Sequence, residues 1–217
     1  MHHQKQNVMK AKSISILAFV IPLCMFLVPI TGKAQWSVGI EYNMALPITG
    51  YGEVFKTGSN FNLEGKYHFS KGWGIGFQTG PARFANSKEG SIAVNDPKLT
   101  VVPLLFTGEY EASREKTIRP FFAAGLGLSI FTFSYYLDNP AQSTNETNAS
   151  FTMSPQIGVR FFITENTMSY LKGSYVIVMD GPPVITEPSL PVSTFPESDK
   201  ATGYAGIAFG FSYRFNK

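Results

Sequence analysis

Tyr204-Ala205-Gly206-Ile207-Ala208-Phe209-Gly210-Phe211-Ser212-Tyr213-Arg214-Phe215 alternates without a break. Ala205, Ile207, Phe209, Phe211, Tyr213 and Phe215 make one face; Tyr204, Gly206, Ala208, Gly210, Ser212 and Arg214 make the other. A period of two puts successive side chains on opposite faces of a β-strand. The bulky apolar face is uncharged, and the opposite face consists mainly of small residues. In a water-soluble sheet the bulky face turns inward and the other face is well charged. A bulky uncharged face suits lipid instead, and small residues suit a narrow lumen.

The same alternation recurs upstream. Trp36, Val38, Ile40, Tyr42 and Met44 alternate with Ser37, Gly39, Glu41 and Asn43. Further segments lie at residues 60–69, 73–80, 102–110, 118–130, 154–161 and 171–179, which makes eight strands in all. The connections run long, short, long, short, long, short, long: 46–57, 70–72, 81–97, 111–117, 137–150, 163–167 and 180–201. Tight periplasmic turns and longer outer loops are the pattern of a transmembrane barrel whose N-terminus starts in the periplasm. Trp36, Tyr67, Phe69, Trp73, Tyr110, Phe161, Tyr213 and Phe215 fall at the inner strand ends, where an interfacial girdle belongs. The expected fold is therefore all-β: an eight-stranded antiparallel transmembrane β-barrel, in which closure satisfies every backbone group.

Composition agrees. Of 217 residues, 15% are charged and 14% aromatic, against about 25% charged in an average soluble domain. Twenty Gly and 14 Pro argue against a helical bundle. A mean hydropathy of +0.01 argues against a multi-span helical membrane protein. Residues 1–34 read as a cleaved signal peptide. Lys5, Lys10 and Lys12 precede an uncharged apolar run over 14–30, and Gly32-Lys33-Ala34 offers small residues at a cleavage site. Met9 is an alternative start to Met1. The remainder, 35–217, is read as one barrel domain. Removing Lys5, Lys10, Lys12 and Lys33 leaves 18 − 4 = 14 basic against 15 acidic residues, so the charge moves from +3 to −1. The basic excess belongs to the signal, and no nucleic-acid partner is expected. Cys24, the single Cys, lies in the apolar run, which excludes a disulfide framework and a multi-Cys metal site.

Alternation points Glu41, Glu64, Lys66, Glu109, Arg119, Arg160, Lys172 and Arg214 into the lumen. Unpaired charges there would be costly, so a paired network is expected. Eight strands leave little open lumen, which favours a polar plug that holds the barrel shut over a selective pore or gate. His68 is the one histidine beyond the signal; its parity places it in the lumen near the periplasmic end. That is the wrong face and end for chemistry on outer-leaflet lipid, so no enzyme is expected. Neither a metal-ligand spacing nor a cofactor motif is present: Gly74-Ile75-Gly76 and Gly125-Leu126-Gly127 lie within strands, not before helices. Residues 180–201 carry Pro182, Pro183, Pro188, Pro191 and Pro196, a semi-rigid outer loop able to present a binding surface.

Three stretches carry a family likeness: residues 98–106 (KLTVVPLLF), 119–127 (RPFFAAGLG) and 206–215 (GIAFGFSYRF). With them the chain resembles the small outer-membrane β-barrel domain family of OmpA/OmpX-like proteins, most closely the PorT-like barrels of the Bacteroidetes. The resemblance spans 35–215. It implies that Gly210, Tyr213 and Phe215 form a C-terminal signal for the barrel-assembly machinery. Ala208 departs from that pattern, as do Asn216 and Lys217 after the final Phe. The expected partners are outer-membrane lipid, the assembly machinery and a candidate extracellular ligand at the outer loops. The expected role is non-enzymatic, in envelope structure or loop-mediated binding. Two alternatives are a narrow conduit for ions or small hydrophobic molecules and an accessory part of a secretion or surface-assembly system.

Overall fold

In a computed structural model of the chain, residues 35–48, 55–69, 72–85, 95–112, 117–136, 143–179 and 202–215 are described. They form nine strands: β1 (Gln35–Ile48), β2 (Gly58–His68), β3 (Trp73–Thr79), β4 (Ala82–Ala85), β5 (Asn95–Glu111), β6 (Ile118–Tyr136), β7 (Ser143–Phe162), β8 (Thr167–Val178) and β9 (Thr202–Phe215). Neighbouring strands pair antiparallel in the order β1-β9-β8-β7-β6-β5-β3-β2, and a β1–β2 pairing closes the ring. β3 and β4 share one stave. Thr79 faces Leu104 and Ala82 faces Val101, so the register runs unchanged across Gly80-Pro81. Nine strands thus make the eight staves of a closed barrel. The signal-peptide expectation falls on residues 1–34, outside the described residues.

Side chains divide by parity as expected. Val38, Ile40, Phe61, Leu63, Phe106, Phe122, Leu126, Ile157, Leu171, Ile207, Phe209 and Phe211 stand exposed on the outer wall. This is an inverted arrangement for water and the stable one for lipid. At the end of the short turns Tyr67 packs between Trp36 and Phe69, with ring centroids 5.0 Å apart on each side. Trp73 meets Tyr110, and Tyr213 meets Phe215, at the same distance. One turn needs glycine. Gly72 adopts φ +89° between β2 and β3, and its carbonyl accepts the N–H of Glu111 at 2.8 Å.

Two expectations are corrected. Residues 46–48, 82–85, 95–97, 111, 143–150 and 167, assigned to connections, are strand. Pro81 reads as a stop, yet it lies on the exposed outer side and interrupts the ladder without shifting it. Residues 143–149 pair with 130–136 although they are polar. A strand that projects above the membrane meets water, so its apolar alternation fades while its backbone pairing continues. The lumen is also not small and polar throughout. Its end away from the short turns holds Ala45, Phe55, Ala82, Phe84, Leu99, Val101, Phe131, Val176, Val178 and Tyr204 as one buried apolar cluster.

Candidate functional site: the two layers of the lumen

Each lumen side chain is positioned by strand parity, and the small residues across from it make room. Gly210 on β9 leaves the space filled by the Tyr170 ring of β8, because a Cβ there would clash with that ring. Gly76 on β3 likewise yields to the Lys66 chain, whose Cγ would lie 2.7 Å from an added Cβ. The glycines read in the sequence as lumen space are therefore occupied by their neighbours.

The half of the lumen toward the short turns holds the ions. Arg160 clasps Glu109 through two contacts of 2.5 Å and reaches Glu111 at 2.7 Å. Lys66 lies 2.9 Å from both Glu64 and Glu109. Arg119 meets Glu111 at 3.0 Å, and Arg214 meets it at 3.5 Å. The last contact joins β9 to β5, four staves away, and so crosses the full width of the lumen. Glu41 forms a second centre above. It takes Lys172 at 2.6 Å, the Asn62 amide at 2.6 Å, the Gln78 amide at 2.9 Å and the Tyr170 hydroxyl at 3.1 Å. Gln156 donates to Gln78 across three staves at 3.0 Å. Aromatic faces cover the cations: Arg160 lies 4.3 Å from the Phe121 centroid, and Arg119 lies 3.8 Å from that of Phe162. A buried charge is tolerable only when paired and hydrogen-bonded in this way.

All eight lumen ions named from the sequence are in these contacts. They fall into two groups, one on Glu109 and Glu111, the other on Glu41. Glu111 was missed, because it reads as the first residue of a turn. The signal was present: Thr107, Glu109 and Glu111 continue one parity to the strand end. Tyr170, Phe121 and Phe162 were missed as partners, because alternation gives a face but not a contact across the barrel. His68 shares a 2.8 Å hydrogen bond with Ser37 and is buried at the end of the short turns. Among the described residues no His, Cys, Asp and Glu group could hold a metal. Of the residues assigned to the C-terminal signal, Gly210 faces the lumen, whereas Tyr213 and Phe215 face outward.

Asn62, level with Glu41, and Asn43 and Asn60, one inward step above it, have buried Oδ1 atoms that accept no hydrogen bond from the described residues. Buried acceptors of this kind are ordinarily met by ordered water. Higher still the lumen is apolar. The Phe84 ring of β4 meets the Tyr204 ring of β9 at 5.4 Å, three staves apart, so this contact too spans the interior.

The family model described as outer membrane protein beta-barrel domain matches residues 23–215. No curated protein matches the chain. Among solved structures, OprG from Pseudomonas aeruginosa superposes with a TM-score of 0.55 at 14% identity, covering 85% of this chain and 97% of that one. Ail of Yersinia pestis, in complex with the heparin analogue sucrose octasulfate, gives 0.53 at 15% identity, covering 85% and 100%. A major outer membrane protein from Thermus thermophilus gives 0.52 at 12% identity, also covering 85% and 100%. At these identities the likeness is one of fold.

Proposed function

The chain belongs to the outer membrane protein β-barrel domain family and resides in the outer membrane, and from that premise we propose that it is a sealed, non-enzymatic barrel. Its work is then structural support of the envelope or binding through its outer loops. The observation that carries this reading is the filled lumen: Arg214–Glu111 crosses it below and Phe84–Tyr204 crosses it above. A conduit needs a continuous wet path, and two different barriers stand in series here. The place of His68, inside the lumen and away from the lipid face, supports a non-enzymatic role. Binding falls to the outer connections, of which 180–201 is the longest and richest in proline. In the same reading, Gly210, Tyr213 and Phe215 serve the assembly machinery during insertion. Planar-bilayer recording of the purified barrel tests the proposal. A quiet membrane is expected, and discrete conductance steps would overturn it in favour of the conduit.

A further inference from the structure

The barrel has no residues to spare at its beginning. The cut expected after Ala34 leaves Gln35 as the first residue of the working chain, and β1 begins at that same residue. Gln35 stands opposite His68 of β2, and Trp36 stands opposite both Tyr67 of β2 and Phe215 of β9. The β1 stave closes the ring, because it joins β2 on one side to β9 on the other. Its Trp36 ring meets that of Tyr67 at 5.0 Å in the aromatic girdle. Loss of Gln35 and Trp36 would therefore remove rungs of the closing ladder and a girdle ring, not a dangling tail.

A free α-amino group at this place carries two liabilities. Chain ends are where proteolysis concentrates, and a primary amine is what an aminopeptidase needs in order to begin. The amine is also a cation on a half-buried residue. Ser37 faces Arg214 across the β1–β9 pair, so Gln35 is the diagonal neighbour of that guanidinium, which Glu111 already engages. Like charges at such spacing are unfavourable. Glutamine can remove both liabilities with its own side chain. The neutral amine attacks the side-chain amide carbon, the N–Cδ bond forms and the Cδ–Nε2 bond breaks. The amine proton passes to the departing nitrogen, which leaves as ammonia. Nothing is oxidised or reduced, and no second substrate is consumed. The product is an uncharged γ-lactam, whose ring nitrogen keeps one N–H as a backbone donor.

We propose that residue 35 of the working barrel is pyroglutamate, formed from Gln35 once the signal peptide is removed, and that it protects the closing stave from trimming. The proposal rests on the cut after Ala34 and is independent of whether the lumen conducts.

Intact-mass spectrometry and N-terminal sequencing of the full barrel from freshly isolated outer membranes test it. The expected mass is that of chain 35–217 less one ammonia. Sequencing should be blocked until an aminopeptidase specific for pyroglutamate is added, after which it should start at Trp36. A free amino group on Gln35 in fresh membranes would overturn the modification, even if stored samples later became blocked. A barrel that begins at another residue would instead overturn the cleavage on which the proposal rests, and the mass tells the two failures apart. The variant Q35N checks the chemistry, since asparagine could close only a strained β-lactam: it should be sequenced directly from residue 35. A block that persists in Q35N would overturn lactam formation. Exposed to a broad-specificity aminopeptidase, the parent barrel should keep Trp36 and Q35N should lose it; equal fates would overturn the protective role. Should Q35N fail to fold, the mass and blocked start of the parent barrel decide alone.

Discussion

Glu111 shows how much one residue at a strand end can hold. Its carboxylate receives Arg119, Arg160 and Arg214, three cations from three other staves. Removing one partner of a buried ion pair typically costs about 3–5 kcal/mol, because the remaining charge is stranded. Glu111→Ala is therefore expected to lower the stability of the folded barrel by about that amount, read as a lower urea midpoint. Glu165 in the β7–β8 hairpin is exposed, and Glu165→Gln should change stability by no more than about 0.5 kcal/mol. If the two substitutions had equal effects, the lumen network would not be the stabilising element. The residue scale is also where the sequence was least explicit. Parity placed eight ions in the lumen, but the hub was hidden by its position beside a turn, and nothing local in Phe121 or Tyr170 names a partner on another stave.

At the scale of the element, strand identity was legible and strand length was not. The bulky-out, small-in alternation marks the part of each strand that crosses lipid, since only there does the outer face need to be apolar. β7 runs on from the membrane through Ser143–Ser150 with polar residues on both faces, and backbone pairing to β6 holds it. The tight β2–β3 turn depends on a different local property, the left-handed backbone of Gly72. A Cβ at that position would stand 2.6 Å from the Glu111 carbonyl, in addition to the strain of the positive φ. Gly72→Ala should therefore cost about 1 kcal/mol or more. Equilibrium unfolding in urea measures this directly, and an unchanged midpoint would show that the turn relaxes freely.

For the whole molecule, the decisive feature is that the two lumen layers lie in series. The ions fill the half toward the short turns and the apolar cluster fills the other half, so opening either alone leaves the other in place. The barrel with Glu109→Ala and Arg160→Ala is expected to stay silent in planar bilayers, as is the barrel with Phe84→Ala and Tyr204→Ala. All four substitutions together should give discrete conductance steps. Steps from the first pair alone would mean that the apolar layer is no barrier.

By itself the sequence determined the fold class, the membrane-crossing part of each strand, the inward or outward direction of nearly every side chain, and the end of the barrel at which the short turns lie. These follow from a period of two and from the chemistry of lipid against lumen, both of which act within a single strand. Only the tertiary structure decided that Glu111 is a hub, that the lumen has an apolar layer above its ionic one, and that Trp36 closes the ring between Tyr67 and Phe215. Each of these depends on register and closure, which bring residues from distant parts of the chain to the same height, and no local pattern encodes that height.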